Sequence, residues 1–244
     1  MSMPVDTNTV LARAEYEHWW FQSRRAITEY VFWKKLSKTQ DTLKILSVGC
    51  GTGAELEHIG QFGEVTGIDI DPEVVQFCRA KGLNVVQMNL LDLSFVAETF
   101  DIVVAMDVLE HIKEDYKALE KLQYVLKKNG LLLITVPALQ CLWSSFDEEG
   151  EFPHVRRYTK KSLLSLVDSQ KLIQEKISYY NFFLFPVAYF TRKSNKSFAS
   201  QMIGIPVWQN IILRLIFSFE KYFLPWLSFP LGVSLIGIFK KGNS

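Results

Sequence analysis

Three glycines alternate with other residues at Gly49, Gly51 and Gly53, within "ILSVGCGTGAELEHIG", and a carboxylate, Asp69, lies twenty positions beyond the first. The apolar run "LKILSV" comes before them and a helical stretch after, so the chain passes from strand to helix through Gly-x-Gly-x-Gly. Glycine allows a tight turn and lets a ligand approach closer than a Cβ permits. Asp69 ends the next strand, "EVTGIDI", where a doubly wound sheet places an acid that accepts hydrogen bonds from both hydroxyls of a ribose. The spacing predicts a nucleoside-binding crevice. Ala54 also fits the third position of a pyrophosphate fingerprint, so the turn alone does not select the nucleotide.

A second group of reactive side chains sits in "HVRRYT", after the fifth predicted strand and just before a helix. That position overhangs the carboxyl ends of the strands, where open α/β sheets form their crevices. His154 is the candidate general base, since imidazole titrates near neutrality. Arg157 and Tyr158, with Arg156, can meet an anionic or hydroxylated acceptor. The competing reading pairs the arginines with the acids of "DEEGE" (147–151) and gives Thr159 a helix cap.

The elements that must hold these groups follow from periodicity. Residues 7–37 carry aromatic and apolar residues at helical spacing. "DPEVVQFCRAKG" opens on Asp71 and Pro72 and closes on Gly82, a helix start and stop. "LNVVQMN", "FDIVVAM", "LLLITVP", "IQEKISYYN" and "FPLGVSLIGIFKK" read as further strands; "EDYKALEKLQYVLKKNG" reads as a helix ending at Asn-Gly, and "KSLLSLVDSQ" as another. Apolar strands alternating with helices predict a mostly parallel sheet covered on both faces.

The chain has 244 residues and a formal charge of +1, which argues against a protein held on nucleic acid by bulk electrostatics. Cys50, Cys78 and Cys141 show no metal-finger spacing, and with no disulfide framework a reducing, cytoplasmic setting is the expectation. "MSMPVDTNTVLARAEYEHWW" lacks the order of a signal peptide. The C-terminal third is strongly apolar, but Arg214, Glu220, Lys221 and prolines 206, 225 and 230 interrupt every candidate membrane span. Its aromatics, beside Arg192, Lys193 and Lys196, suit a lid over an apolar acceptor or a peripheral membrane face.

With those residues in place, the sequence resembles the class I S-adenosylmethionine (SAM)-dependent methyltransferases over nearly its whole length. "ILSVGCGTG", "VTGIDIDPEVV", "VVQMNLLDLSF", "FDIVVAMDVLEHI" and "LKKNGLLLITVP" resemble successive motifs of that family. The resemblance implies a seven-stranded, Rossmann-like sheet whose last strand is antiparallel, with SAM as cofactor. It implies that Gly49, Cys50, Gly51 and Gly53 line the methionine part of SAM and that Asp69 holds the ribose. Ile70 would pack on the adenine, Asn89 and Leu90 would sit at its amino edge, and Ala105 or Met106 would flank the sulfonium. Arg24, in a helix folded over SAM, would meet its carboxylate. Two positions depart from the pattern: Ser47 stands where the family has an acid linked to the methionine ammonium, and Asn89 where it has Asp.

Asp107, Glu110 and His111 match the spacing of a metal site found in a few branches of that family. The same letters serve as helix-start chemistry elsewhere in it, and with no second histidine cluster following, no metal is expected. "YEHWWFQSRR" and "DEEGEFPHVRRYTKKSL" resemble methyltransferases of bacterial glycan, lipopolysaccharide and secondary-metabolite pathways.

The expected organisation is one domain: a helical cap over residues 1–40, a SAM-binding core over 41–170, and C-terminal strands with an apolar lid over 171–244. The expected reaction is O-methylation of a small molecule or sugar, with no nucleic-acid partner. N-methylation, a non-catalytic SAM- or nucleotide-binding module, and a nicotinamide-dependent dehydrogenase are the alternatives.

Overall fold

The computed structural model describes residues 7–33, 36, 42–148, 152–170, 172–192 and 205–243. Lys193 and Lys196 lie outside the described residues, as do the ends of the proposed cap and most of "DEEGE" after Glu148.

Seven strands make one sheet: β1 (Leu43–Val48), β2 (Gly63–Asp69), β3 (Val85–Gln87), β4 (Phe100–Met106), β5 (Leu126–Pro137), β6 (Leu172–Tyr180) and β7 (Ser234–Lys241). Their order is β3-β2-β1-β4-β5-β7-β6. The pairings from β3 to β5 are parallel, and β7 runs antiparallel to both β5 and β6. Strand order reverses between β1 and β4, the switch point at which such sheets open a crevice. Central strands are apolar on both faces because helices cover both: Ile45 and Leu46 on β1 are fully buried, as are Leu132 and Leu133 on β5.

Helices α1 (Thr7–Glu17) and α2 (Trp19–Thr28) replace the single N-terminal helix that periodicity predicts. His18 breaks it by taking an extended conformation, φ −75° and ψ 135°, and its Nδ1 accepts from the Trp20 amide. Asn210 bridges the break: its Oδ1 accepts from Trp19 N at 2.7 Å and its Nδ2 donates to Glu17 O at 2.8 Å. Helices α3 (Ala54–Ile59) and α4 (Pro72–Ala80) follow the glycine turn and β2; Asp71 caps α4 by accepting from Glu73 N.

The helix before β5 is shorter than its Asn-Gly signal suggests. α5 (Asp115–Val125) ends early because Leu126 pairs with Phe100 across β4. Asn129 then takes φ +61° inside a strand irregularity, and a Cβ on Gly130 would meet Lys127 O at 2.8 Å. The dipeptide marks a kink in the strand instead of a helix stop.

Three helices lie beyond the core strands: a short α6 (Ser145–Glu148), α7 (Lys160–Asp168) with Thr159 and Ser162 forming a capping box, and α8 (Phe185–Thr191). The last helix, α9 (Val207–Phe219), packs on α2. Its inner residue Phe217 is fully buried, with ring centroids 5.3 Å from Trp20 and 5.8 Å from Tyr180. Its outer face stays apolar and exposed: Trp208 and Leu215 are each 62% accessible, and Trp226 beyond it 84%. No helix among the described residues is long and apolar enough to cross a membrane.

Candidate active site

Gly49, Gly51 and Gly53 adopt φ of +61°, +53° and +89°, the left-handed region that costs other residues strain. Space is short as well: a Cβ on Gly49 would stand 2.7 Å from Val108 Cγ2, and one on Gly53 2.4 Å from Leu83 Cδ1. The turn so formed aims the Gly51 amide at Asp69, whose Oδ2 accepts at 3.1 Å while Oδ1 accepts from Asp71 N at 3.1 Å. Burial raises the Asp69 pKa and these backbone donors pull it back. Each oxygen keeps a further lone pair for an outside donor.

The other residues expected around a nucleoside lie along the same strand ends. Cys50 is buried, its amide donating to Ile68 O at 3.2 Å. Ile70, just past Asp69, is 47% exposed and offers an apolar face. Asn89 Oδ1 accepts from Leu91 N at 2.9 Å and caps a short turn, with Leu90 buried beneath. Ala105 and Met106 are buried at the end of β4, and Ser47 is buried in β1.

Helix α1 brings Glu15 and α2 brings Arg24 over this turn, where they meet Thr52, Asp107 and Glu55. Glu15 clasps the glycine loop, accepting from Thr52 Oγ1 at 2.7 Å and Thr52 N at 3.3 Å. Arg24 is ion-paired to Asp107, which sits at φ +55° beyond β4 and accepts from Thr135 Oγ1 at 3.1 Å. Burial works against the Arg24 charge, but Asp107 and Glu55 more than restore it. Glu55 is buried with neither carboxylate oxygen hydrogen-bonded; burial raises its pKa, against the charges of Arg24 and Arg25. Only a fold could separate Glu55 from its neighbours in "AELEHIG".

The "HVRRYT" segment is pinned by Asp147, a fully buried carboxylate in α6. Its Oδ1 accepts from His154 Nδ1 at 2.7 Å and lies 2.6 Å from Arg157 Nη2; its Oδ2 accepts from Ser144 N at 2.9 Å. Burial pushes this carboxyl's pKa up, and the His154 hydrogen bond with the Arg157 charge overcomes that, holding it at about 2. Arg157 also donates to Ala138 O at 3.0 Å, and the Tyr158 hydroxyl donates to Asp115 Oδ2 at 2.8 Å. Both residues, expected to face an acceptor, spend their donors inside the protein. Arg156 likewise pairs with Asp115 at 2.6 Å.

His154 itself is brought to the turn Leu109–His111. The Val155 amide donates to Glu110 O at 2.8 Å, and the rings of His111 and His154 meet edge to face, centroids 4.7 Å apart. Burial lowers the His111 pKa, helped by His154. The second histidine that the spacing around His111 lacked comes from the far side of β5.

Sequence and structure comparisons agree with this architecture. Residues 46–134 match the methyltransferase domain family. A ubiquinone biosynthesis O-methyltransferase of Glaesserella parasuis is 31% identical over 104 residues, 38% of this chain and 44% of that protein. A phosphatidylethanolamine N-methyltransferase of Cereibacter sphaeroides is 35% identical over 99 residues, 37% and 49% of the two chains. The chain thus spans about half the length of the curated relatives it matches. A SAM-dependent methyltransferase structure from Archaeoglobus fulgidus superposes with a TM-score of 0.63 at 18% identity, over 97% of this chain and all of that one. The fold is that of the class I methyltransferases, and fold and domain together imply SAM as the cofactor.

Proposed function

We propose that this chain, whose residues 46–134 match the methyltransferase domain and whose sheet has the class I fold, methylates a hydroxyl oxygen of a small molecule or sugar using SAM. The observation that carries the reading is the glycine cradle at the β1/β4 switch point, with Asp69 held by the Gly51 amide. The residues present suit SAM: no Cβ obstructs the turn, Asp69 has free lone pairs, and Glu55 offers an unpartnered buried carboxylate. Gly49, Cys50, Gly51 and Gly53 would cradle the amino-acid end and Asp69 the ribose. Ile70, Asn89 and Leu90 would border the adenine, with Ala105 and Met106 near the sulfur. Glu55 takes over the ammonium contact that Ser47 cannot make as an anion, and Arg24 faces the carboxylate across from Asp107.

Bound SAM supplies an electrophilic methyl group. The chain's part is to align an oxygen with it and to manage that oxygen's proton. In this reading His154 takes the proton at Nε2, since its Nδ1–H is committed to Asp147. Arg157 and Tyr158 hold the loop in place through Asp147 and Asp115. The exposed apolar face of α9, with Trp226 beside it, suits a peripheral contact with a membrane that carries or delivers the acceptor.

Calorimetry with SAM, S-adenosylhomocysteine and NAD tests the cofactor. Binding of NAD and not SAM overturns the proposal. A screen of hydroxylated and amine acceptors against wild type and His154→Ala tests the chemistry: the variant is expected to bind SAM normally and turn over slowly. SAM binding with no acceptor turned over would favour a non-catalytic module.

A further inference from the structure

We propose that Cys50 and Cys78 are a site of reversible oxidative modification: hydrogen peroxide joins them as a disulfide, and that bond closes the glycine cradle to SAM. The first support is contact. Cys50 lies between the first two glycines of the turn and Cys78 lies in α4, yet the Cys50 thiol donates a hydrogen bond to the Cys78 sulfur. The two share a small apolar cluster with Leu56, Val74, Val75 and Val85. Glycine makes the room: a Cβ on Gly67 would stand 3.1 Å from Cys50 Sγ, and one on Gly53 3.2 Å from Cys78 Sγ.

The second is what the pair holds in place. Cys78 Sγ donates to Gly51 O at 3.2 Å, and the amide of that same glycine donates to Asp69 Oδ2 at 3.1 Å. The Cys50 carbonyl accepts from Gly53 N at 3.2 Å and so ties the turn together. A disulfide leaves the Cys78 sulfur with no proton to donate. Gly51 O then loses its partner while Cys50 is drawn toward α4, and the turn that orients Asp69 is displaced from both sides.

The third is an asymmetry in reactivity. The hydrogen bond from Cys50 lowers the pKa of the Cys78 thiol, and the Lys81 charge adds to that effect against burial. Cys50 is raised by the same contact and by burial. A thiolate beside a thiol is the pairing of an attacking cysteine with a resolving one.

The Cys78 thiolate attacks one peroxide oxygen; the O–O bond breaks, hydroxide leaves, and a sulfenic acid remains. That hydroxide becomes water with the proton that Cys78 gave up to solvent. The Cys50 sulfur then attacks the sulfenic sulfur. The S–O bond breaks, and the departing hydroxide takes the Cys50 proton and leaves as a second water. Two electrons pass from the sulfurs to the peroxide, and an external dithiol returns them. Cys78 is fully buried and Cys50 only 6% exposed, so the oxidant must be close to water in size and enters where the turn opens. With SAM in the crevice the turn stays covered. The inference rests on the methyl-transfer reading in that respect, since the crevice must be the cofactor's for the cofactor to shield the pair.

The test treats SAM-free protein with hydrogen peroxide, alkylates the remaining thiols in denaturant, and maps the cysteines by peptide mass spectrometry. A Cys141→Ser background removes the exposed third thiol. The expected product joins the Cys50 and Cys78 peptides with the loss of two hydrogens, and SAM added before the peroxide should slow its formation. Calorimetry should then show SAM affinity lowered roughly tenfold or more, the scale of one lost hydrogen bond, and restored by dithiothreitol. Cys78→Ser keeps a hydroxyl for Gly51 O and should bind SAM equally well with and without peroxide. Both cysteines still open to alkylation after treatment, or a disulfide that leaves SAM affinity unchanged, overturns the proposal. Reduced protein that binds no SAM rejects the methyl-transfer reading instead, and the mass map alone then decides whether the two sulfurs join.

Discussion

Asp147 and His154 are bonded directly in the candidate site: a carboxylate oxygen and an imidazole Nδ1 stand 2.7 Å apart. The same carboxylate faces Arg157, whose Nη2 is 2.6 Å away, and Arg192, whose Nη1 lies 3.5 Å from the other oxygen. One buried anion therefore organises the loop before α7.

Removing that charge should separate stability from chemistry. Asp147→Asn strands the Arg157 guanidinium in the interior and should cost about 3 kcal/mol, read by urea unfolding. Adding Arg157→Met should return part of that stability while turnover stays low, because His154 still lacks its carboxylate. Turnover recovering along with stability would make Asp147 purely structural.

The glycine turn offers a paired comparison. Gly53→Ala meets both a left-handed φ of +89° and Leu83 Cδ1 at 2.4 Å. It should lose about 1–3 kcal/mol of stability and most of the affinity for SAM. Gly60→Ala has φ −58° and nothing within 4 Å of the new Cβ, so it should gain up to about 1 kcal/mol and keep SAM binding. Thermal unfolding and calorimetry on the two variants check both halves.

Glu220 sets a pH dependence remote from the crevice. It is fully buried and accepts from Phe183 N at 3.0 Å, while burial lifts its carboxyl from the ordinary 4.5 to about 7 against those backbone donors. The folded protein therefore binds this proton more tightly than the unfolded chain. Its contribution to stability is complete below pH 4.5 and is lost as pH rises to about 7. That loss is on the order of 3 kcal/mol at most. Glu220→Gln keeps an acceptor for Phe183 and should gain on wild type steadily across that window in denaturant unfolding. A difference that does not vary with pH would refute the assignment.

The outer face of α9 predicts binding to vesicles of anionic phospholipid. From residue 181 to the end, seven lysines and arginines stand against one acid, Glu220, which is buried. Exposed Trp208, Leu215 and Trp226 supply the apolar part. Leu215→Asp or Trp226→Ala should lower co-sedimentation roughly tenfold, from about 1.5–3 kcal/mol per buried side chain, with SAM affinity unchanged. Wild type remaining in the supernatant with both anionic and neutral vesicles would end this reading.

The strands and the glycine turn were readable because period and backbone chemistry are local: Gly49 to Asp69 spells strand, turn, helix and strand in order. The break at His18 was not, because it depends on Asn210 in a distant helix supplying the bonds that α1 and α2 forgo. The meeting of His154 with Glu110 and His111 was equally hidden, since β5 and its following loop carry them together. The pairing of Arg157 with Asp147 had been legible as a charge match within "DEEGE"; that Arg156 turns instead to Asp115 in α5 depended on the tertiary fold.

Asn210 has a last consequence. One amide ties α9 to the end of α1 and the start of α2, and α1 in turn holds the glycine loop through Glu15 and Thr52. A surface bound at α9 and a nucleoside bound below α1 would therefore both bear on this one junction. Whatever factor the first imposes on the affinity of the second, thermodynamics returns in full to the first.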